Sequence, residues 1–248
     1  MISIKSQREI ELMKVAGEIV GKCHLILETN IKPGITTLEL DKLAFDFITS
    51  MDATPSFLNY DGFPNSICVS INDEVVHGIP SKRKLKQFDV VSIDIGACYK
   101  GYHGDSAWTY SVGTAKENDR KLMEYTKEAL FKGLEQVKPG NRVSDISNAI
   151  ADFAISKNLG IVEELVGHGV GSKLHEEPNI PNYKTTKLGP MLKEGMVIAV
   201  EPMLNLGGRE VAFSDDDWTV VTMDGSNSAH YEHTVLVTKN GYEILTKR

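Results

Sequence analysis

The first thirty residues carry apolar positions in steps of three and four. Ile10, Met13, Gly17, Val20, His24 and Leu27 form one stripe, the period of a helix that buries a single face. Ser6-Gln7-Arg8-Glu9 opens it as a capping box, in which the serine hydroxyl and the glutamate carboxylate each satisfy a free backbone N–H. The spacing predicts a helix over roughly 7–29, with His24 as a hydrogen-bonded core or boundary residue. Lys32-Pro33-Gly34 breaks it, and Thr36-Thr37-Leu38-Glu39 is a second capping box. The helix that follows turns Leu40, Leu43, Phe47 and Met51 inward.

The same unit recurs 106 residues later. Lys138-Pro139-Gly140 repeats the break, and Asp145, Ile146, Asp152 and Phe153 stand where Glu39, Leu40, Asp46 and Phe47 stood. An amphipathic stretch over roughly 117–137 precedes it, as 7–29 precedes the first. Repetition at a fixed offset predicts two related halves, roughly 1–115 and 116–248, within one catalytic domain spanning 1–248. Strands are predicted at Ser66–Ile71, Asp89–Ala97 and Gly101–Val112, then at Ile161–Val166, Met196–Glu201, Trp218–Met223 and Tyr231–Thr238. Asn240-Gly241 signals a hairpin before a last strand near Tyr242–Leu245. Helices bunched ahead of strands, twice, predict an α+β fold with helices covering a mostly antiparallel curved sheet.

Composition narrows the class. The chain has 248 residues, 41% hydrophobic and 25% charged, which excludes disorder. A net charge of −7 argues against a nucleic-acid binder driven by bulk charge. The longest apolar run, Met196–Val200, is far short of the ~20 residues of a membrane helix. The charged N-terminus does not read as a signal peptide. Cys23, Cys68 and Cys98 are odd in number and scattered, so a cytoplasmic protein with reduced thiols is expected.

The chemistry lies in acids placed where strands should be apolar. Asp94 interrupts VVSIDIGA, and a turn centred on Tyr99-Lys100 sets it directly opposite Asp105. Such a pair, ~4.5–5.5 Å apart, repels unless a proton or cation sits between. A slip of register by one, or acids turned to solvent, is the alternative. Glu201 ends the strand MVIAV before Pro202, and Glu232 sits in YEHTVLV. No Lys or Arg lies within these strands, so two divalent cations would balance the four carboxylates. His168 in GHGVG, His175 before Glu176-Glu177-Pro178 and His77 in VHGIP could add nitrogen. Mixed Asp/Glu/His ligation suits a hydrolytic two-metal site. GxSxG, GxGxxG and GxxxxGK[ST] motifs do not occur. Lys82–Lys86 reads as a solvated loop and Asp215-Asp216-Asp217 as an exposed one.

Taken in order, VHGIP, SIDIGA, GYHGDSAWT, GHGVG, HEEP, VIAVEPM and EHTV resemble the type I, bacterial-form methionine aminopeptidases over nearly the whole chain. The resemblance implies the pita-bread fold of two pseudo-symmetric halves. It implies a dinuclear metalloaminopeptidase that removes the initiator methionine from nascent polypeptides when the second residue is small. By motif, Asp94, Asp105, His168, Glu201 and Glu232 would hold two ions (cobalt, manganese, iron or zinc), with Asp105 and Glu232 bridging them. A metal-bridging hydroxide would attack the scissile carbonyl, and Glu201 would shuttle the proton. His175 would stabilise the developing oxyanion, and His77 would meet the scissile nitrogen. Tyr60, Phe63, Cys68 and Trp218 would form the methionine pocket, with Phe57 and Leu174 at its rim.

The chain departs from that pattern at three positions. His230 stands where glutamine is common, Phe57 where cysteine is, and Leu174 where an aromatic is. The resemblance also implies a monomer that meets nascent N-termini with a transient ribosome contact, and no binding to membrane or nucleic acid. Three other readings remain: an X-Pro aminopeptidase or prolidase, which would carry a further N-terminal domain; an inactive pita-bread binding module; and a structural metal protein.

Overall fold

The computed structural model describes residues 2–248. Helix α1 (Gln7–Asn30) begins on the Ser6–Glu9 capping box and α2 (Thr37–Ser50) on the Thr36–Glu39 box, both closed reciprocally. After β1 (Thr54–Pro55), β2 (Ile67–Ile71) and β3 (Glu74–Val76) comes the long hairpin of β4 (Val90–Tyr99) and β5 (Tyr102–Ser111). Helices α3 (Glu117–Leu134) and α4 (Val143–Ser156) follow. The remaining strands are β6 (Gly160–Ile161), β7 (Gly167–Gly169), β8 (Glu176–Ile180), β9 (Val197–Val200), β10 (Met203–Asn205), β11 (Val211–Phe213), β12 (Val220–Thr222), β13 (Ser228–His230), β14 (His233–Thr238) and β15 (Gly241–Ile244).

All strand pairings among the described residues are antiparallel. In one sheet β4 lies between β2 and β5, and in another the order is β15-β14-β9-β7-β8. One apolar core joins α1 and α2 to β2, β4 and β5; a second joins α3 and α4 to β9 and β14. Each helix pair thus buries the stripe that its periodicity predicts. His24 is fully buried, with Nε2 2.9 Å from the Ser106 carbonyl and Nδ1 3.0 Å from the Tyr110 hydroxyl.

The two Lys-Pro-Gly breaks make matching backbone contacts. Gly34 N–H donates to Leu85 O (2.8 Å) and Gly140 N–H to Leu192 O (3.2 Å). Leu85 N–H returns to Ile35 O (2.8 Å), and Leu192 N–H to Asn141 O (2.7 Å). Glu39 accepts the Thr36 N–H at 2.8 Å, as Asp145 accepts that of Arg142 at 2.7 Å.

Several expected boundaries move, each for a local reason. The β4–β5 turn is Lys100-Gly101, because both adopt positive φ (48° and 84°), as a two-residue hairpin turn requires. Asp94 therefore faces Ala107 and Asp105 faces Gly96. The two acids are diagonal neighbours, not directly opposite; a two-residue shift keeps them on one face because side chains alternate with period two. The expected strand 161–166 survives only as Gly160–Ile161, since Leu165 and Val166 line a cavity and Glu163 and Glu164 face solvent. The expected strand 231–238 breaks at Tyr231-Glu232, where Glu232 N–H leaves its own sheet for Ala107 O at 2.8 Å. Trp218 precedes its strand because the Asp216 carboxylate accepts the Trp218 and Thr219 N–H groups in a side-chain-capped turn. The last hairpin turns at Lys239-Asn240, with Thr238 paired to Gly241. Helix α3 stops at Leu134, where Gln136 and Val137 tighten to bonds three residues back.

Candidate metal centre and substrate pocket

The seam between the two cores gathers the acids. Strand β5 runs beside the β13–β14 segment, and side chains stitch them together. Ser106 Oγ donates to Glu232 O (2.6 Å), Thr234 Oγ1 donates to Asp105 O (2.7 Å), and Asp105 N–H donates to Thr234 Oγ1 (3.0 Å). These contacts set Asp105 and Glu232, from opposite halves of the chain, into one cavity of about 590 Å³. Asp94 joins from β4, His168 from β7, and Glu201 from the turn between β9 and β10. His77, His175 and His230 line the same cavity.

His168 Nε2 lies 3.5 Å from Glu201 Oε1 and 3.9 Å from Asp105 Oδ2. Its Nδ1 is 2.9 Å from the Gly169 carbonyl, which can only accept, so Nδ1 carries the proton and Nε2 presents its lone pair. One donor atom each from Asp105, His168 and Glu232 falls within 4.8 Å of the others, and so does one each from Glu201, His230 and Glu232. Asp94 lines the cavity beside both groups.

Burial dominates the electrostatics. It pushes Asp94 up to about 7 and Glu201 up to about 8. Asp105 and Glu232 rise well above the usual carboxylate range, first by burial and then by mutual repulsion among the acids. The histidines move the other way. Burial lowers His168 to about 3 and His77 and His230 to about 4, and it lowers His175 as well. All four imidazoles are therefore neutral near pH 7 and can ligate or donate a single N–H.

The donor set fits divalent cations. Asp94 Oδ1, Asp105 Oδ1 and Glu232 Oε1 are buried with no hydrogen-bond partner. No lysine or arginine lines the cavity among the described residues. Unpaired buried carboxylates of this kind require protons or an outside positive charge. Hard oxygens with one or two imidazoles are the donors that divalent first-row metals take.

An apolar pocket adjoins the acids. Phe57, Phe63, Cys68 and Leu174 are buried together, with Tyr60, Ile79 and Trp218 packed against them. Phe63 meets Trp218 edge-on at 5.2 Å between centroids. All six residues expected there are brought together. Phe57 and Leu174 form the buried wall instead of the rim, because Tyr60 and Trp218 are the partly exposed members. Tyr60 Oη lies 2.7 Å from His175 Nδ1, and the His175 and His168 rings meet edge-on at 4.3 Å. His77 holds φ +60° at the mouth of the VHGIP loop, a left-handed conformation that local contacts must enforce. Among the residues that sequence reasoning does not place in the site, Ile79 is readable only as the apolar member of VHGIP, and His230 only as a departure from the motif two positions before Glu232.

Comparison with known proteins agrees with this geometry. A profile of Metallopeptidase family M24 matches residues 11–239. Methionine aminopeptidase 1 of Bacillus subtilis is 53% identical over 247 residues, covering 100% of both chains. The crystal structure of methionine aminopeptidase from Thermotoga maritima superposes with a TM-score of 0.98 at 44% identity, again over 100% of each chain. Prolidase from Pyrococcus furiosus shares the fold at TM-score 0.81 and 27% identity, but this chain spans only 65% of it. The pita-bread architecture of antiparallel sheets backed by four helices is the fold of this chain. The chain belongs to metallopeptidase family M24 and, within it, to the methionine aminopeptidases.

Proposed function

We propose that this protein is a dinuclear aminopeptidase that removes the initiator methionine from new polypeptides when the second residue is small. One observation carries the reading: the carboxylate–histidine cluster shares its cavity with a lining of apolar and aromatic side chains. An unbranched thioether is well suited to such a wall of aromatic and aliphatic groups.

Asp94, Asp105, His168, Glu201 and Glu232 would hold two ions drawn from cobalt, manganese, iron or zinc. Asp105 and Glu232 would be shared between them, Asp94 would complete one position, and His168 with Glu201 the other. When bound, such ions supply a nucleophilic water at neutral pH and polarise the scissile carbonyl. Glu201, at the edge of the acid cluster, would take a proton from the attacking water and return it to the departing amine. Donation from Tyr60 Oη to His175 Nδ1 would leave the proton on His175 Nε2, aimed at the carbonyl oxygen as charge develops there. His77, in the same cavity beside Trp218, would meet the scissile nitrogen. Phe57, Tyr60, Phe63, Cys68, Leu174 and Trp218 would enclose the methionine side chain.

The matching contacts at the two Lys-Pro-Gly breaks support one catalytic domain of two related halves, roughly 1–115 and 116–248. Three free cysteines suit a reducing cytoplasm, where nascent N-termini emerge and a transient ribosome contact would bring them to the cavity. The test is peptide cleavage by metal-loaded protein. Met-Ala-Ser should lose methionine and Met-Leu-Ser should be spared. Release of X from X-Pro peptides with no action on Met-Ala-Ser would overturn the proposal.

A further inference from the structure

His230 is 2% exposed, and its Nε2 has no hydrogen-bond partner. Leaving a buried polar nitrogen unpaired is costly, so the position calls for a partner from outside the chain. The backbone around it is held firmly. His230 N–H donates to Thr109 Oγ1 at 3.0 Å, its carbonyl accepts from Thr109 Oγ1 at 2.7 Å, and it pairs with Met203 across β10 and β13. The ring lines the cavity of the acid cluster.

Glu201 stands between two imidazoles. His168 Nε2 is 3.5 Å from its Oε1, and His230 Nε2 is 3.5 Å from its Oε2. That separation is longer than an N–H···O hydrogen bond, which spans about 2.7–3.2 Å. It matches the gap between neighbouring donors on one ion: bonds of ~2.0–2.2 Å place adjacent ligand atoms about 3.0–3.5 Å apart. One donor atom each from Glu201, His230 and Glu232 also lies within 4.8 Å of the others, so His230 belongs to a compact donor group with Glu201.

We infer that His230 is a sixth protein ligand of the metal centre, giving an imidazole nitrogen to the cation position that Glu201 completes. The inference rests on the dinuclear reading above, which gives that position one imidazole, His168. With His230 it carries two. That position then favours iron, cobalt and zinc over manganese and magnesium, because imidazole suits the former and hard oxygen the latter.

The experiment loads protein labelled with ¹⁵N-histidine with two equivalents of ¹¹³Cd²⁺ and reads the ring nitrogens by NMR. Scalar coupling splits only nitrogens bonded to the metal. Two Nε2 resonances should split in the wild type, and His230→Gln should abolish one and leave the other. If the variant does not fold, through-bond assignment of the split rings in the wild type identifies whether His230 is one of them. A single split resonance in the wild type, or two that both persist in His230→Gln, would refute the inference while leaving the dinuclear reading standing. Absence of any split resonance would overturn both.

Discussion

Glu201→Gln separates what the acid cluster costs the fold from what it does for catalysis. The substitution keeps shape and hydrogen-bonding capacity but cannot ionise. In the metal-free protein, burial raises Glu201 from 4.5 to about 8. Between those values the folded protein binds a proton that the unfolded chain has released. Metal-free stability must therefore fall as pH rises through this window, and the loss is complete above about pH 8. At ~1.4 kcal/mol per pH unit, the penalty is about 1 kcal/mol at pH 5 and about 4 kcal/mol at pH 8. Glutamine escapes it. In EDTA the variant should thus melt within a few degrees of wild type at pH 5 and roughly 8–16 °C above it at pH 8. Saturating divalent metal should narrow the gap. Wild type gains about 2.7 kcal/mol at one hundred times Kd, and the variant, short of a ligand, gains less. The assay is thermal unfolding followed by circular dichroism at both pH values, with chelator and with metal. An equal gap at pH 5 and pH 8 in chelator, or a variant less stable than wild type at pH 8, would show that Glu201 is not a strained buried acid.

Three further outcomes follow from the same geometry. Asp105→Asn removes one of the buried, unpartnered carboxylates of the cluster and leaves its backbone seam bonds in place; calorimetric titration should show divalent-cation binding lost while the far-ultraviolet spectrum is retained, and full activity in this variant would contradict its proposed bridging role. His175→Ala removes the donor proposed for the oxyanion, so kcat should drop about 10²–10³-fold with KM little changed; an effect confined to KM would assign His175 to binding alone. Gly167→Ala would drive a Cβ to 2.4 Å from the Ala199 carbonyl across β7 and β9, and urea unfolding should register a loss of about 1–3 kcal/mol, a loss that an unchanged midpoint would disprove.

Local information decides a good deal of this protein. The capping boxes at Ser6 and Thr36, the buried stripe of α1 and the repeated Lys-Pro-Gly break are properties of neighbouring residues. Helix starts and amphipathic faces depend on contacts within one turn or two, so the chain announces them directly. The ordered motifs around the acids and histidines likewise mark the site residues and the family. Acids in otherwise apolar strands make the need for cations legible from charge alone.

The arrangement of those residues is a matter of tertiary contacts. The hairpin spacing in the sequence puts Asp94 directly opposite Asp105, whereas left-handed Lys100 and Gly101 move the pairing by two residues and make them diagonal. The apolar pattern of residues 231–238 predicts one strand, whereas the Glu232 backbone crosses to β5 in the other half. His230 carries no local mark of its role, since its unpaired nitrogen acquires meaning only beside Glu201, which stands 29 positions earlier in the chain. Residue types and short-range periodicity specify which elements form and what chemistry they can supply. Register across a turn, and the meeting of side chains from separate strands, are settled by the packing of the two cores against each other, and no local window of sequence contains that energy.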